Sequence, residues 1–224
     1  FRLLERRMKP ILTAQEHYDR LAEMGNDVND PPAALEYMSR WDGPPFWNAI
    51  GDSREKDILE IGIGTGRIAR LILEHGCRNL TGLDISPKTI EVASSRLSNF
   101  ANAELILADI AEFCQPGSFD IACSVLTFMH IQDKVKALGN IVNSLRPGGY
   151  LVLSIDNASD SFDFGDWVIP LFPWAPERYT QVLGSIGCEI ADPIPLIDKW
   201  IDSHGKKSET YGQEIATLIK ATKK

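Results

Sequence analysis

The 224-residue chain has only four cysteines, Cys77, Cys114, Cys123 and Cys188, and none forms a C-x-x-C pair or joins a Cys/His cluster. That spacing carries no zinc signature and fits reduced thiols, so no metal is expected. No apolar run approaches the roughly 20 residues that cross a bilayer. The opening "FRLLERRMKPIL" is too charged for a signal-peptide core. Positive charge is in deficit: 23 Lys and Arg against 31 Asp and Glu leave a net charge of -8. An acidic chain has no broad footprint for nucleic acid, which needs a basic face. Repeats and low-complexity tracts are also missing. These absences predict a cytoplasmic globular protein with neither a membrane nor a nucleic-acid partner. With 44% hydrophobic and 24% charged residues, the chain is long enough for one large core with at most a small extra lobe.

Residues 1–50 differ from the rest and read as an N-terminal helical segment. "TAQEHYDRLAEM" has Thr13 as N-cap and Glu16 three residues on, the capping-box spacing. "PAALEYMSRW" reads as a second helix, stopped by "DGPP". From Asp57 the pattern alternates. "DILEIGI", "LTGLDI", "AELILADI" and "FDIACSV" read as strands, with helices "GRIARLILEHG" and "SPKTIEVASSRLSNF" and a weakly helical crossover between them. "QDKVKALGNIVNSL" is a further helix, before a turn and a fifth strand in "RPGGYLVLSIDN". Such repeats predict a parallel sheet covered on both faces over residues 51–224. "SDSFDFGDWVIPLFPW" is aromatic and irregular; "APERYTQVLGSIG" reads as a helix, "CEIADPIPL" and "QEIATLIKAT" as the last strands.

In doubly wound sheets ligands bind beyond the carboxyl ends of the strands. The first such end is "LEIGIGTGR", with Gly62, Gly64 and Gly66 two apart and Arg67 where a dinucleotide fingerprint has its third glycine. Glu60 stands at the lip. A pyrophosphate wants amide donors and no anion, whereas a carboxylate suits a ligand with an ammonium. Asp84 ends the second strand, where an acid accepts from ribose hydroxyls, as NAD would also require. Asp109 ends the third, where a carboxylate can accept from the amine of adenine. The plain alternative is that each acid caps the turn or helix that follows.

In order along the chain, "LEIGIGTGR", "LTGLDIS", "LILADI", "FDIACSVLTFMHI" and "LRPGGYLVLSI" resemble the five motifs of class I S-adenosylmethionine-dependent methyltransferases. The resemblance is close over residues 57–157. It implies an α/β, doubly wound, Rossmann-like sheet of seven strands in the order 3-2-1-4-5-7-6, the last antiparallel, with "QEIATLIKAT" as that strand. It further implies S-adenosyl-L-methionine as cofactor and S-adenosyl-L-homocysteine as product. Glu60 and the loop Gly62, Ile63, Gly64 and Gly66 would then face the methionine part. Asp84 and Ile85 would serve the ribose, Asp109 and Ile110 the adenine, and Ser124, Val125 and Leu126 the methionine and sulfonium. Tyr18 resembles a tyrosine of the family's N-terminal segment, whose hydroxyl reaches the methionine carboxylate or lines the acceptor pocket; His17 beside it is a weaker candidate. Arg40 and Trp41 are further candidates for the cofactor pocket.

His130, just after the fourth strand, is the candidate general base, since an imidazole takes a proton near neutral pH; packing or helix capping is the alternative. Phe128 and Met129 read as wall. The insert carrying Phe162, Phe164, Trp167, Phe172 and Trp174 is read either as an acceptor pocket, by the resemblance, or as packing under a long loop. A small, partly apolar acceptor follows from the first reading. "DPPAA" from Asp30 lacks the aromatic that amino-methylating nucleic-acid enzymes stack on a flipped base. Two other readings stay open, a cofactor-binding module without catalysis and a nucleotide-dependent oxidoreductase. Oligomeric state is not legible.

Overall fold

The computed structural model describes residues 8–25, 38, 40–156 and 159–224. The D-P-P run and most of the helix expected in "PAALEYMSRW" lie outside the described residues.

Helix α1 (Ala14–Glu23) starts where its capping box puts it: the Thr13 side chain accepts from the Glu16 amide, and Glu16 reaches back to the Thr13 amide. Helix α2 (Pro44–Ile50) has proline in its first turn and buries Phe46 and Ile50. Strand β1 (Asp57–Ile61) is buried along its length, as a central parallel strand must be. Helix α3 (Arg67–Glu74) presents Ile68, Ala69, Ile72 and Leu73 to the core. Strand β2 (Asn79–Asp84) leads to α4 (Pro87–Arg96), which Ser86 caps by accepting from the Thr89 amide. Then come β3 (Ala103–Leu107) and β4 (Phe119–Val125). The crossover between them is turns rather than helix; Pro116 and Gly117 interrupt it. A 3-10 turn, Phe128–His130, precedes α5 (Lys134–Ser144) and β5 (Leu145–Asp156).

The insert is more regular than its sequence reads. Strands β6 (Ser161–Asp163) and β7 (Val168–Pro170) form an antiparallel hairpin. Asp163 accepts from the Gly165 amide at its turn, and Gly165 has φ +86°. The turn signal in "DFGD" was there to be read. Helix α6 (Pro176–Ser185) follows. "CEIADPIPL" forms two strands, β8 (Cys188–Ile190) and β9 (Ile194–Ile197), parted at Asp192–Pro193 because proline lacks the ladder donor. Strand β10 (Glu214–Lys223) closes the sheet.

The sheet runs β3-β2-β1-β4-β5-β10-β8, the expected 3-2-1-4-5-7-6 order, with β10 antiparallel to β5 and β8. Strand β9 adds an eighth member by pairing with β10 beside β8. One core lies between the sheet, α5 and α6, with Leu59, Leu138, Ile141 and Tyr179. The other lies under α2 and α3, with Phe46, Ile58, Ile72 and Val152. A third, smaller cluster joins Leu21 of α1 to Trp167, Ile169 and Leu171 of the hairpin segment.

The two described helices of residues 1–50 pack in different places. Helix α2 belongs to the sheet, since Phe46 and Ile50 fill the second core and the Tyr150 hydroxyl donates to Ile50 O at 2.5 Å. Helix α1 instead packs with the hairpin from far along the chain. Backbone bonds join them too, Leu12 N to Val168 O at 2.9 Å and Val168 N to Pro10 O at 3.0 Å.

Candidate active site

The glycine loop follows β1 because its backbone needs left-handed turns: Gly62, Gly64 and Gly66 have φ of +70°, +56° and +85°. A Cβ on Gly62 would sit 2.1 Å from Thr127 Oγ1, whereas one on Gly64 would meet nothing within 4 Å. The loop thus packs on the β4 end at Gly62 and opens at Gly64. Its amides are engaged within the protein. Gly62 N and Ile63 N both donate to Leu83 O, at 2.9 and 2.8 Å, and Gly66 N to Ile63 O at 3.0 Å. Gly64 N donates to Asp84 Oδ2 at 3.0 Å. A phosphate cradle needs such donors free; here they shape the loop.

Glu60 lies beneath, 3% exposed, and its Oε2 has no hydrogen-bond partner among the described residues. Burial pushes its carboxyl up to about 8; Arg67 opposes this, and Asp42 and Asp84 add to it. Arg67, at the first position of α3, forms an ion pair with buried Asp42, so the nearest guanidinium is already matched. Burial also raises Asp84, against the amides of Ser86, Gly64 and Ile85. Asp84 does double duty, because its Oδ1 accepts from Ser86 N at 3.0 Å while Oδ2 holds Gly64. Asp109 caps its own turn, accepting from Ala111 N at 2.8 Å. For these two acids the capping reading is true of the structure; for Glu60 it is not.

Ile85 is half-buried beside Asp84, and Ile110 turns its side chain into the core. Ser124 is buried and donates from Oγ to Ile61 O at 2.9 Å, which joins the ends of β4 and β1. Val125 packs against the second core, and Leu126 after it has φ +56°, an uncommon conformation for a side-chain-bearing residue, of a kind that clusters at functional sites.

The site's far wall comes from α1. Tyr18 Oη lies 3.0 Å from His130 Nε2, joining two residues 112 positions apart. Burial, then the charge of Asp84, raises the Tyr18 phenol, and burial, then His17 and Lys134, lowers His130 to about 4. Both are uncharged at neutral pH. His130 Nδ1 is buried without a partner among the described residues. His17 faces the other way: its Nδ1 accepts from Trp167 Nε1 at 3.0 Å, and its ring lies 4.2 Å from Phe164. Trp167 therefore packs rather than lining an open pocket, while Phe162 is exposed. Arg40 is committed to a buried ion pair with Asp198 at 2.8 Å, and Trp41 packs on the second core.

Sequence reasoning missed Asp19. Its Oδ1 accepts from Ser86 Oγ at 2.7 Å and from Lys88 N at 3.2 Å, so α1 is moored at the start of α4. An acid one position after Tyr18 was the only signal.

The donor set can be tested against S-adenosylmethionine. That ligand offers an ammonium, ribose hydroxyls and an adenine amine as donors, beside its carboxylate and ring nitrogens as acceptors. The strand ends offer a buried carboxylate with one oxygen unpartnered among the described residues and two further carboxylates, with the loop amides of Gly62, Ile63, Gly64 and Gly66 engaged. The residues fit.

Residues 59–153 match a family model described as a methyltransferase domain. Among curated proteins, 2-methyl-6-phytyl-1,4-hydroquinone methyltransferase of Synechocystis sp. is 27% identical over 169 residues, 69% of this chain and 49% of its own. The chain spans about half the length of the curated relatives it matches. Among solved structures, an S-adenosylmethionine dependent methyltransferase from Mesorhizobium loti has a TM-score of 0.68 at 20% identity, covering 82% of this chain and 100% of that one. The cyclase SpnF has a TM-score of 0.66 at 17% identity, covering 96% and 98%. At these identities the likeness shows the fold, and a cyclase on the same fold keeps chemistry a separate question. No helix among the described residues is long and apolar enough to cross a membrane. Residues 59–153 are thus similar to a methyltransferase domain, and the sheet that carries them has the fold of S-adenosylmethionine-dependent methyltransferases.

Proposed function

We propose that the protein transfers the methyl group of S-adenosyl-L-methionine to a small, partly apolar acceptor. The observation that carries this reading is Glu60, a buried carboxylate with an oxygen left unpartnered at the lip of a loop whose amides are taken. A ligand ammonium there would gain a charge-assisted bond, and a pyrophosphate would gain none. Glu60 would hold the amino group, with Gly64 allowing close backbone approach. Asp84 keeps lone pairs for ribose hydroxyls, and Asp109 stands at the adenine end.

Bound S-adenosylmethionine supplies a methyl on a positively charged sulfonium, which becomes a neutral thioether on transfer. What the chain adds is position and exclusion of water. Helix α1 and the hairpin cover the strand ends. Tyr18 and His130 form the proton path: an acceptor hydroxyl or amine would pass its proton to Tyr18 Oη as Tyr18 passes its own to His130 Nε2. The imidazolium so formed replaces the positive charge that the pocket loses.

Titration calorimetry with S-adenosylmethionine, S-adenosylhomocysteine and NAD tests the cofactor. Binding of both sulfur ligands and not NAD is expected; tight NAD binding alone would overturn the reading. A labelled-methyl screen over small hydroxyl, amine and thiol acceptors tests the transfer. Cofactor binding with no transfer to any acceptor would leave a binding module instead.

A further inference from the structure

Lys134 is the one lysine among the described residues that is fully buried, 0% exposed at the start of α5. A buried ammonium is costly unless paired, yet no carboxylate among the described residues lies in ion-pair range of it. Its Nζ donates instead to two backbone carbonyls, Ile131 O and Phe172 O. The rings of Phe172 and Trp174 lie 5.9 and 5.6 Å from it, and the Arg178 guanidinium lies 3.9 Å from the centre of the Trp174 ring. A hydrophobic side chain would fill such a place at less cost, so the ammonium has a task other than stability.

The two carbonyls show what the task is. Ile131 follows His130 directly. On the other side of His130, Met129 O accepts from Phe172 N at 2.7 Å. Both flanks of His130 are therefore tied to Phe172, one directly and one through Lys134. The circuit closes through the cap: Phe172 ends the hairpin segment, Trp167 in the hairpin bonds His17, and Tyr18, next in the chain, bonds His130.

We propose that Lys134 is a positioning residue for the Tyr18–His130 pair, clamping the peptide after His130 to Phe172 and so fixing the imidazole against the Tyr18 hydroxyl. This rests on reading that pair as the proton path. On the His130 side the nearby charge is positive, while the negative Asp84 acts on Tyr18. His130 is faced by Tyr18 from α1 and by Lys134 from α5; His17 of α1, though its ring turns to Trp167, also acts on it, and Lys134 is faced by Arg178 from α6. The nearby ammonium favours the neutral imidazole that a proton acceptor must be.

The test uses the whole protein with labelled histidine. The four histidines are assigned by single His→Gln variants, and the midpoint of each ring is followed by nuclear magnetic resonance. In Lys134→Met both the lost charge and the loosened loop should raise the His130 midpoint by about one pH unit or more. Turnover should fall about 10- to 100-fold, with S-adenosylhomocysteine affinity within about twofold. Lys134→Gln keeps an N–H donor without the charge; it should recover turnover relative to Lys134→Met, and it carries the test if the Met variant fails to fold. An unmoved His130 midpoint in a folded variant, or a Gln variant no better than Met, would overturn the proposal. If the wild-type protein transfers no methyl, the proposed activity falls while the midpoint still decides the role of Lys134.

Discussion

Glu60 concentrates most of what is testable at the scale of single residues. Its carboxyl is raised from the usual 4.5 to about 8 in the folded protein. For an acid raised on folding, stability is intact below the unfolded value and declines as pH rises from 4.5 to about 8, by up to about 1.4 kcal/mol per pH unit. Urea titrations of the ligand-free protein across that window should show the decline, and Glu60→Gln should flatten it. The same substitution should weaken S-adenosylmethionine about 10- to 100-fold, the worth of a charged hydrogen bond. Binding should also release close to one proton at pH 6 and none above pH 9, as calorimetry in buffers of different ionisation enthalpy would register. Asp84 differs. Asp84→Ala removes the acceptor of two amides, Gly64 and Ser86, so it should cost about 1–3 kcal/mol of stability as well as affinity. The sequence placed both acids at strand ends, because a strand followed by glycines or by a capped helix is a local signal. It did not show that Asp84 also holds the glycine loop, since that bond joins residues from two different strand ends.

Among the elements, α1 is moored by bonds that can be named, joining Asp19 to Ser86 and Lys88, Tyr18 to His130 and His17 to Trp167. Asp19→Ala should release it from Ser86 and Lys88. We expect faster hydrogen exchange across residues 14–23 and lower turnover, with exchange in β1 and β4 unchanged. Slowed exchange in α1, or loss of the β1 protection, would contradict that arrangement. Helix α1 itself was legible, because a capping box is a contiguous signal. Its partner was not: the hairpin lies some 150 residues away (Trp167 against His17), and aromatic residues broken by proline read as loop. Proline had a second effect at Pro193, where one apolar run became two strands. The range of β4 was read to the residue, because a central parallel strand is apolar throughout, whereas β3 ends at Leu107, two residues before Asp109.

For the molecule as a whole, alternation along the chain predicted a parallel sheet, and its strand order was implied by the resemblance to class I methyltransferases. What joins distant parts did not follow. Arg40 pairs with Asp198, both nearly or fully buried, and Asp198 also accepts from Thr210 Oγ1 at 2.6 Å and Trp200 N at 2.9 Å. Burial alone would raise this carboxyl, but its bonds from Ser208, Thr210 and Trp200 and the charge of Arg40 hold it at about 2. Its stabilisation is present above the usual 3.8 and lost as pH falls through about 2. Asp198→Ala leaves a buried guanidinium without its acid and should cost about 3–5 kcal/mol, measured by chemical denaturation at neutral pH. The hairpin has a different consequence at this scale. It sits between β5 and α6 and contributes no strand to the large sheet. Changes at its exposed residues, such as Phe162, Gly165 and Asp166, can therefore leave the strand ends beneath in register, provided Trp167 and Phe172 keep their bonds to His17, Met129 and Lys134. Under the proposed function, a lineage, or an engineer, could alter the choice of acceptor through these few exposed positions.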